Sequence, residues 1–286
     1  MQTVLPRSAA RDATTSVDMR FIGNATMLLR IGPFTVLTDP NFLRRGQYAY
    51  LGYGLVSRRR TQPAIPPGGL PPIDLVLLSH LHGDHFDRVA MRQLPHDVPL
   101  ATTGPAARTL RRRGFRRAAG LPAWSSKQLV RGDATLLVHA VPAHHAHGAV
   151  GALLPPVVGF VAELFEGGAV EPAYRLYISG DTLLAEDLAE IPARFPSIDA
   201  AVVHLGGTRI LGFLVTLDAE QGVELVRLIH ADVVVPVHYD DYGVFRSPLS
   251  DFTSLLAERL PSQLVAVVGR GDSVTLAARR TEPAPV

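Results

Sequence analysis

Residues 79–87 read SHLHGDHFD and place His80, His82, Asp84 and His85 within one short stretch of a chain with only 11 histidines in 286 residues. A strand would send His80 and His82 to the same side. Gly83 lets the chain turn there, so that Asp84 and His85 can fold back toward them. Four side chains able to bind a metal would then share one small volume, and burying four such groups without a metal would be costly. Imidazole and carboxylate suit zinc, iron or manganese.

More groups of the same kind follow apolar runs downstream. They are His144, His145 and His147 in VPAHHAHG, Asp181 in ISGDT, His204 in VVHLGG and His238 in VVPVHYDD. The count exceeds the three or four protein ligands of one catalytic zinc site. It suits two metals that share a bridging carboxylate. Two divalent ions would lower the pKa of a bridging water from about 15.7 toward 7, giving hydroxide for attack on a carbonyl or phosphoryl centre. A lone histidine on a strand is ordinarily a satisfied core residue, and His96, His139 and His230 are read that way or as surface groups.

HLHGDH matches the H-x-H-x-D-H signature of the metallo-β-lactamase superfamily, and the later elements follow in the matching order. The resemblance covers roughly residues 19–277. Within the superfamily, VLTDP, PAHH, ISGDT and PVHY look most like the ascorbate 6-phosphate lactonase-like proteins and the N-acylphosphatidylethanolamine-hydrolysing phospholipase D-like proteins. The resemblance implies an α/β fold, a four-layer αββα sandwich with its metals at one edge between two sheets. It also implies roles. His80 and His82 would bind a first metal with a histidine of PAHH, for which His145 is chosen over His144 and His147. Asp84, His85 and His238 would bind a second metal, and Asp181 would bridge both. Asp39 in TDP would hold a ligating histidine by a hydrogen bond. Asn24 stands where relatives often carry a histidine, so an imidazole's role is lost there.

The implied activity is a dinuclear metal-dependent hydrolase of the phosphodiesterase or lactonase type, cleaving a phosphodiester, ester or lactone bond with a bridging hydroxide. Zinc is the expected ion, with manganese or iron as alternatives. Asp84 would also orient the nucleophile, and His204 or His147 would protonate the leaving group. His144, His147 and Tyr239 are candidate supporting or pocket residues, and Asp240 and Asp241, which follow Tyr239, are candidates to line the same pocket. Arg44 and Arg45, in the stretch NFLRRGQYAYLGYGLVSRRR, would flank the mouth and favour an anionic small molecule or lipid. Two other classes compete. One is an iron-dependent oxidoreductase of the same fold, and the other is a non-catalytic binding protein that retained it.

The elements that must position these groups are legible as apolar runs. IDLVLLSH, RLYISGD, IDAAVVH and DVVVPVH each read as a strand ending in a polar residue, and ligands gather at such strand ends because the frame is rigid and the loops are open. Residues 19–40 read as short strands broken by Gly-Asn and Gly-Pro turns. Residues 41–72 read as one long loop, 134–143 and 157–165 as strands. Helices are expected at 87–94, in GPAARTLRRRGF, in LLAEDLAEIPARF up to Pro192, and at 218–230 behind an Asp218 cap. PLSDFTSLLAERL reads as a last helix and LVAVVGRGDSVTLA as a closing strand or hairpin.

The hydrophobic fraction of 47% and charged fraction of 19% describe a globular chain. Residues 1–18 are expected to be a flexible leader, 19–277 a single domain and 278–286 a tail. There is no cysteine, so neither disulfides nor thiolate ligands enter, and a cytoplasmic home is compatible with that. No run approaches the length of a transmembrane helix. The formal charge of +2 is small. No nucleic-acid motif accompanies the arginine clusters, so no specific nucleic acid is expected as partner. Self-association is left open.

Overall fold

The computed structural model describes residues 2–4, 16–52, 54–148, 151, 154–210 and 212–278. Most of the 1–18 leader and the tail beyond Ala278 lie outside these residues. Within the leader, β1 (Gln2–Val4) forms a short strand, and β2 (Ser16–Gly23) begins three residues ahead of the expected domain start.

Two sheets lie face to face. β2, β3 (Thr26–Ile31) and β4 (Phe34–Thr38) form an antiparallel meander. The segment read as one long loop contains a hairpin, β5 (Tyr48–Gly52) and β6 (Leu55–Arg58). Its glycines made the strands hard to see. Then β7 (Leu75–Leu77), β8 (Leu100–Thr102) and β9 (Ala118–Gly120) extend the first sheet in parallel from β4. Helices α1 (Arg88–Gln93) and α2 (Gly104–Arg112) connect them. Asp87 caps α1, accepting from the Val89 and Ala90 amides, which satisfies donors that have no partner inside a helix.

The second sheet runs through β10 (Ser126–Arg131), β11 (Ala134–Ala143), β12 (Val157–Phe165), β13 (Tyr174–Ile178) and β14 (Ala200–His204). A small hairpin, β15 (Arg209–Ile210) and β16 (Phe213–Leu214), stands outside it. β17 (Val233–Val237) and β18 (Leu264–Val265) complete the sheet in parallel with β14, while β1 pairs with β10 at the other edge. Helices α3 (Glu190–Arg194), α4 (Ala219–Ile229) and α5 (Leu249–Arg259) belong to this half.

Strand periodicity builds the layers. On β11, β12 and β14, Leu136, Val138, Phe160, Leu164, Ala200 and Val202 face the first sheet and its Val17, Met19, Met27 and Leu29. Their neighbours Val141, Val161, Ala201 and Val203 face Val223, Val226 and Phe252 of the outer helices. Leu37, Val76 and Leu100 likewise turn outward to Ala90, Ala107 and Leu110. The result is the expected αββα sandwich.

Two element readings need correction. The helix expected to stop near Pro192 runs past it: a 3-10 turn over Glu186–Ala189 leads directly into α3, which opens at Glu190, so Pro192 sits in the first α-helical turn, where a proline is tolerated. The closing segment is not a hairpin. β18 ends the second sheet, whereas β19 (Ser273–Ala277) crosses over and pairs with β2 at the edge of the first. No helix among the described residues is long and apolar enough to cross a membrane.

Candidate metal centre

The site sits at one edge of the sandwich, where the strands run out. Asp39 follows β4, His80 to His85 follow β7, His145 follows β11, Asp181 follows β13, His204 closes β14, and His238 follows β17. Three of the described non-glycine residues with a left-handed backbone lie here: Asn24 (φ 56°), Asp39 (φ 34°) and His238 (φ 63°). Such conformations persist only where surrounding bonds over-determine them. The His238 amide donates to the Asn24 carbonyl (3.0 Å), and the Asn24 amide to Asp241 Oδ2 (2.6 Å).

All seven expected ligands are brought together and buried. His82 Nδ1 lies 2.9 Å from His80 Nε2 and 3.3 Å from His145 Nε2. His238 Nε2 lies 3.4 Å from Asp84 Oδ2, and His85 Nε2 lies 3.1 Å from Asp181 Oδ2 and 3.8 Å from Asp84 Oδ2. His80, His85 and Asp181 form a further compact trio between these groups. In each converging set the ligand atoms lie within 4.8 Å of one another.

The outward-facing nitrogens of four rings are engaged elsewhere, while His82 Nε2 is buried without a hydrogen-bond partner. His145 Nδ1 donates to the Val215 carbonyl (2.6 Å) and His238 Nδ1 to the Leu205 carbonyl (3.1 Å). Each leaves a bare Nε2 aimed inward. His85 Nδ1 faces Asp39 Oδ2 at 3.2 Å, and His80 Nδ1 meets Ser79 Oγ at 3.0 Å. Asp84 Oδ1 and Asp181 Oδ1 are buried with no hydrogen-bond partner. Nitrogen lone pairs turned on one another and orphaned carboxylate oxygens are costly unless a cation lies between them. Ligands about 2.1 Å from a tetrahedral ion stand about 3.4 Å apart, close to the spacing of the His82 and His145 nitrogens. The donor set fits divalent metal.

Electrostatics divide the cluster. Burial, with like charges nearby, pushes His80 well down, His82 to about 4 and His145 down, so these rings are neutral and ready to ligate. Burial acts the same way on His85 and His238, but the carboxylates of Asp181, Asp84 and, for His85, Asp39 outweigh it and raise both. Burial would raise Asp181 and Asp84, yet the facing histidines hold both below the ordinary carboxylate range. Without metal, the carboxylates of Asp84 and Asp181 and the rings of His85 and His238 thus favour one another's charged forms.

The remaining candidates surround this centre. Asp39 accepts from the Ser79 amide (2.7 Å) and hydroxyl (3.0 Å), and its Oδ2 also lies 3.4 Å from His204 Nε2. His204 is fully buried behind Asp39, with Nδ1 on Ser179 Oγ (3.2 Å). His144 is half-exposed and bound by Nε2 to Asp187 (2.8 Å), and His147 is exposed beside it. Tyr239 packs against the outer helical core rather than among the rings. Arg44 and Arg45 are exposed at the base of the β5–β6 hairpin.

Several supports were not legible as supports in the sequence. Asn41 donates to the Gly83 carbonyl (2.9 Å) and accepts from buried Arg59 and from Tyr242 Oη (2.9 Å). Arg59 pairs with buried Asp241 at 3.2 Å. Asn24 Nδ2 donates to the Asp84 carbonyl (2.8 Å). Gly83 donates its amide to the Tyr50 carbonyl (2.8 Å), and a Cβ there would come within 2.6 Å of that oxygen. The hairpin is thus clasped directly onto the loop that carries His82, Asp84 and His85.

A two-sheet sandwich with a histidine and aspartate centre at its edge defines a metallo-β-lactamase-type protein. The Beta-lactamase superfamily domain matches residues 35–239, and the chain belongs to that superfamily. A UPF0173 metal-dependent hydrolase of Thermus thermophilus is 26% identical, over 85% of this chain and 92% of its own length. One from Natranaerobius thermophilus is 25% identical, over 90% and 99%. Among solved structures, an isothiocyanate hydrolase from Delia radicum gut bacteria superposes with a TM-score of 0.75 at 20% identity, covering 91% of this chain and 99% of that one. The diiron β-hydroxylase CmlA from Streptomyces venezuelae gives 0.61 at 16% identity, over 94% and 55%. The fold alone therefore does not separate hydrolysis from oxidation.

Proposed function

We propose that the protein is a metal-dependent hydrolase with a two-ion centre. His80, His82 and His145 would hold one ion, Asp84, His85 and His238 the other, and Asp181 would stand between them. The observation that carries this is the inward convergence of imidazole nitrogens at 2.9 and 3.3 Å, with the outer nitrogens of His80 and His145 bonded to Ser79 and to the Val215 carbonyl. The relatives named as metal-dependent hydrolases support it. Two divalent ions there would supply a water acidified to near neutrality and an electrophilic grip on the scissile group.

The chain's own groups do the rest. Asp84 has one oxygen facing His238 and the other, Oδ1, free; Oδ1 orients the attacking water and takes its proton. Asp39 fixes the ring of His85 and is itself held by Ser79 and His204. His204, with no open face, serves that frame and not the leaving group. Protonation of the leaving group falls to the rim, where His144 is anchored on Asp187 and reaches solvent. The scissile bond is a phosphodiester, ester or lactone in an anionic small molecule or lipid, with Arg44 and Arg45 exposed on the approach.

Elemental analysis of protein purified without chelator or affinity metal, with a phosphodiester and lactone panel, tests this reading. About two zinc or manganese ions per chain and chelator-sensitive turnover are expected. Two irons with oxygen uptake would establish the oxidoreductase instead. A folded chain that takes up no metal would overturn both.

A further inference from the structure

The β5–β6 hairpin carries an apolar face that the hydrolytic centre does not use. Its register puts Tyr48 opposite Arg58 and Tyr50 opposite Val56 on one face, while Ala49, Leu51 and Ser57 point into the body. That outer face is open: Tyr48 is 55% exposed, Tyr50 59%, Val56 57%, and Leu55 at the turn 42%. Large apolar groups gathered on one projecting element mark an interaction site. Arg44, Arg45, Arg58 and Arg60 surround them, all exposed, and none forms a salt bridge among the described residues.

Charge selects the occupant. Residues 40–73 contain no aspartate or glutamate. A second copy docking by the same patch would bring arginines against arginines, since a twofold interface meets itself. The partner must be anionic and must also cover aliphatic Leu55 and Val56, which a nucleic acid backbone would leave in water. Tyrosines at an interface, basic side chains around them and aliphatic groups at the tip are the chemistry of an anionic lipid surface.

The hairpin is also continuous with the centre. Gly83 is bonded to Tyr50, and Gly52 approaches His82 Nε2. The second hairpin, β15–β16, presents Phe213 at 60% exposure next to Val215, whose carbonyl orients His145. Both hairpins therefore leave the body at the mouth. We infer that the β5–β6 hairpin docks the protein peripherally on an anionic membrane surface. This inference needs no metal and stands apart from the hydrolase reading.

Co-sedimentation of the full-length protein with vesicles tests it. Phosphatidylcholine vesicles are compared with vesicles in which phosphatidylglycerol replaces part of the phosphatidylcholine. Binding to the anionic vesicles is expected, together with its loss in high salt. Replacing Arg44 and Arg45 by alanine should weaken it about fivefold per arginine, the equivalent of about 1 kcal/mol each near an anionic surface. Leu55→Ser with Val56→Ser should weaken it further, while Arg113→Ala, at the end of α2, should not. His82→Ala should bind as the parent does, so a failed metal reading would leave this result standing. Equal binding to both vesicle types, or indifference to the hairpin substitutions, would overturn the inference. So would a hairpin-dependent dimer in sedimentation, or oligonucleotide binding that the aliphatic substitutions leave untouched.

Discussion

Asp39→Asn isolates the contribution of a residue that does not itself reach the centre of the cluster. Asp39 is 2% exposed, accepts from the Ser79 amide at 2.7 Å and the Ser79 hydroxyl at 3.0 Å, and faces His85 Nδ1 at 3.2 Å and His204 Nε2 at 3.4 Å. Asparagine preserves the shape and one acceptor oxygen. It removes the charge and turns the other atom into a donor, so one of the facing groups must lose its bond. The His85 ring then loses its fixed orientation and the carboxylate that raises the basicity of its ligating nitrogen. Partners of this kind typically change metal affinity by about 10- to 100-fold, which is about 1.4–2.7 kcal/mol. The first site, on His80, His82 and His145, touches Asp39 only through Ser79 and should hold its affinity. Competition titrations of the metal-free protein against a chromophoric chelator would read both steps. Repeating them in a His82→Ala background leaves only the ion that senses His85. Unchanged affinity in that background, or equal weakening at both sites, would refute a specific coupling of Asp39 to His85.

The other predictions concern the choice of ligands, acid stability and the frame. His145→Ala should abolish the first metal equivalent, whereas His144→Ala and His147→Ala should retain full metal content by elemental analysis, because only His145 turns a bare Nε2 toward His82. Metal-free protein should lose stability as the pH falls from about 6.5 to about 4. His82 is lowered from 6.5 to about 4 by burial, so the unfolded chain binds a proton there that the folded one refuses, and stability rises with pH across that window. At about 1.4 kcal/mol per unit this is about 3 kcal/mol. His85 and His238, raised in the fold, act in the opposite sense and give up their stabilisation as pH rises through their folded values. Urea melts of the parent and of His82→Gln should therefore diverge in their pH slopes, the parent losing more in acid. Arg59→Ala should lower stability by about 1–3 kcal/mol, since it strips one buried partner from Asp241, which keeps Arg270; a urea midpoint unchanged from the parent would count against that pairing as a clamp.

The fold was legible where burial imposed a period. β11 and β12 coincide with the apolar runs at 134–143 and 157–165, because a strand whose two faces both meet apolar layers is apolar throughout. α4 was legible from its cap and stripe, with Asp218 accepting from the Gln221 amide. The misreadings share one cause, which is that local pattern does not encode partners. Pro192 breaks a helix interior but suits a first turn, and only the start of α3 tells which applies. The two strands of the closing segment look like a hairpin, yet β18 and β19 answer to different sheets. Tyr48 and Tyr50 alternate with Ala49 and Leu51 as strand residues should, but Gly52, Gly54 and the surrounding arginines obscured the hairpin.

The centre divides in the same way. Groups able to ligate announce themselves by type, since imidazoles and carboxylates at strand ends have few structural reasons to be there, and all seven converge. What orients them does not announce itself. His145 is aimed by a backbone carbonyl 70 residues away, at Val215, and His238 by that of Leu205, and a carbonyl carries no residue identity. Asp241 looked like a pocket residue because it follows a ligand and a tyrosine. Buried against Arg59 and bonded to the Asn24 amide, it acts instead as the joint between the β2–β3 turn, the hairpin strand β6 and the loop after β17. Asn24 shows why such a joint matters. Its left-handed backbone and its bond to the Asp84 carbonyl tie two metal-binding loops, the His238 loop and the Asp84 loop, to one turn of the first sheet. A ligand set drawn from four strand ends can be held to the tolerance that catalysis needs only if each end is pinned to another. The pins are single hydrogen bonds between residues far apart in sequence, so they become visible only once the sheets have brought the strand ends to one edge.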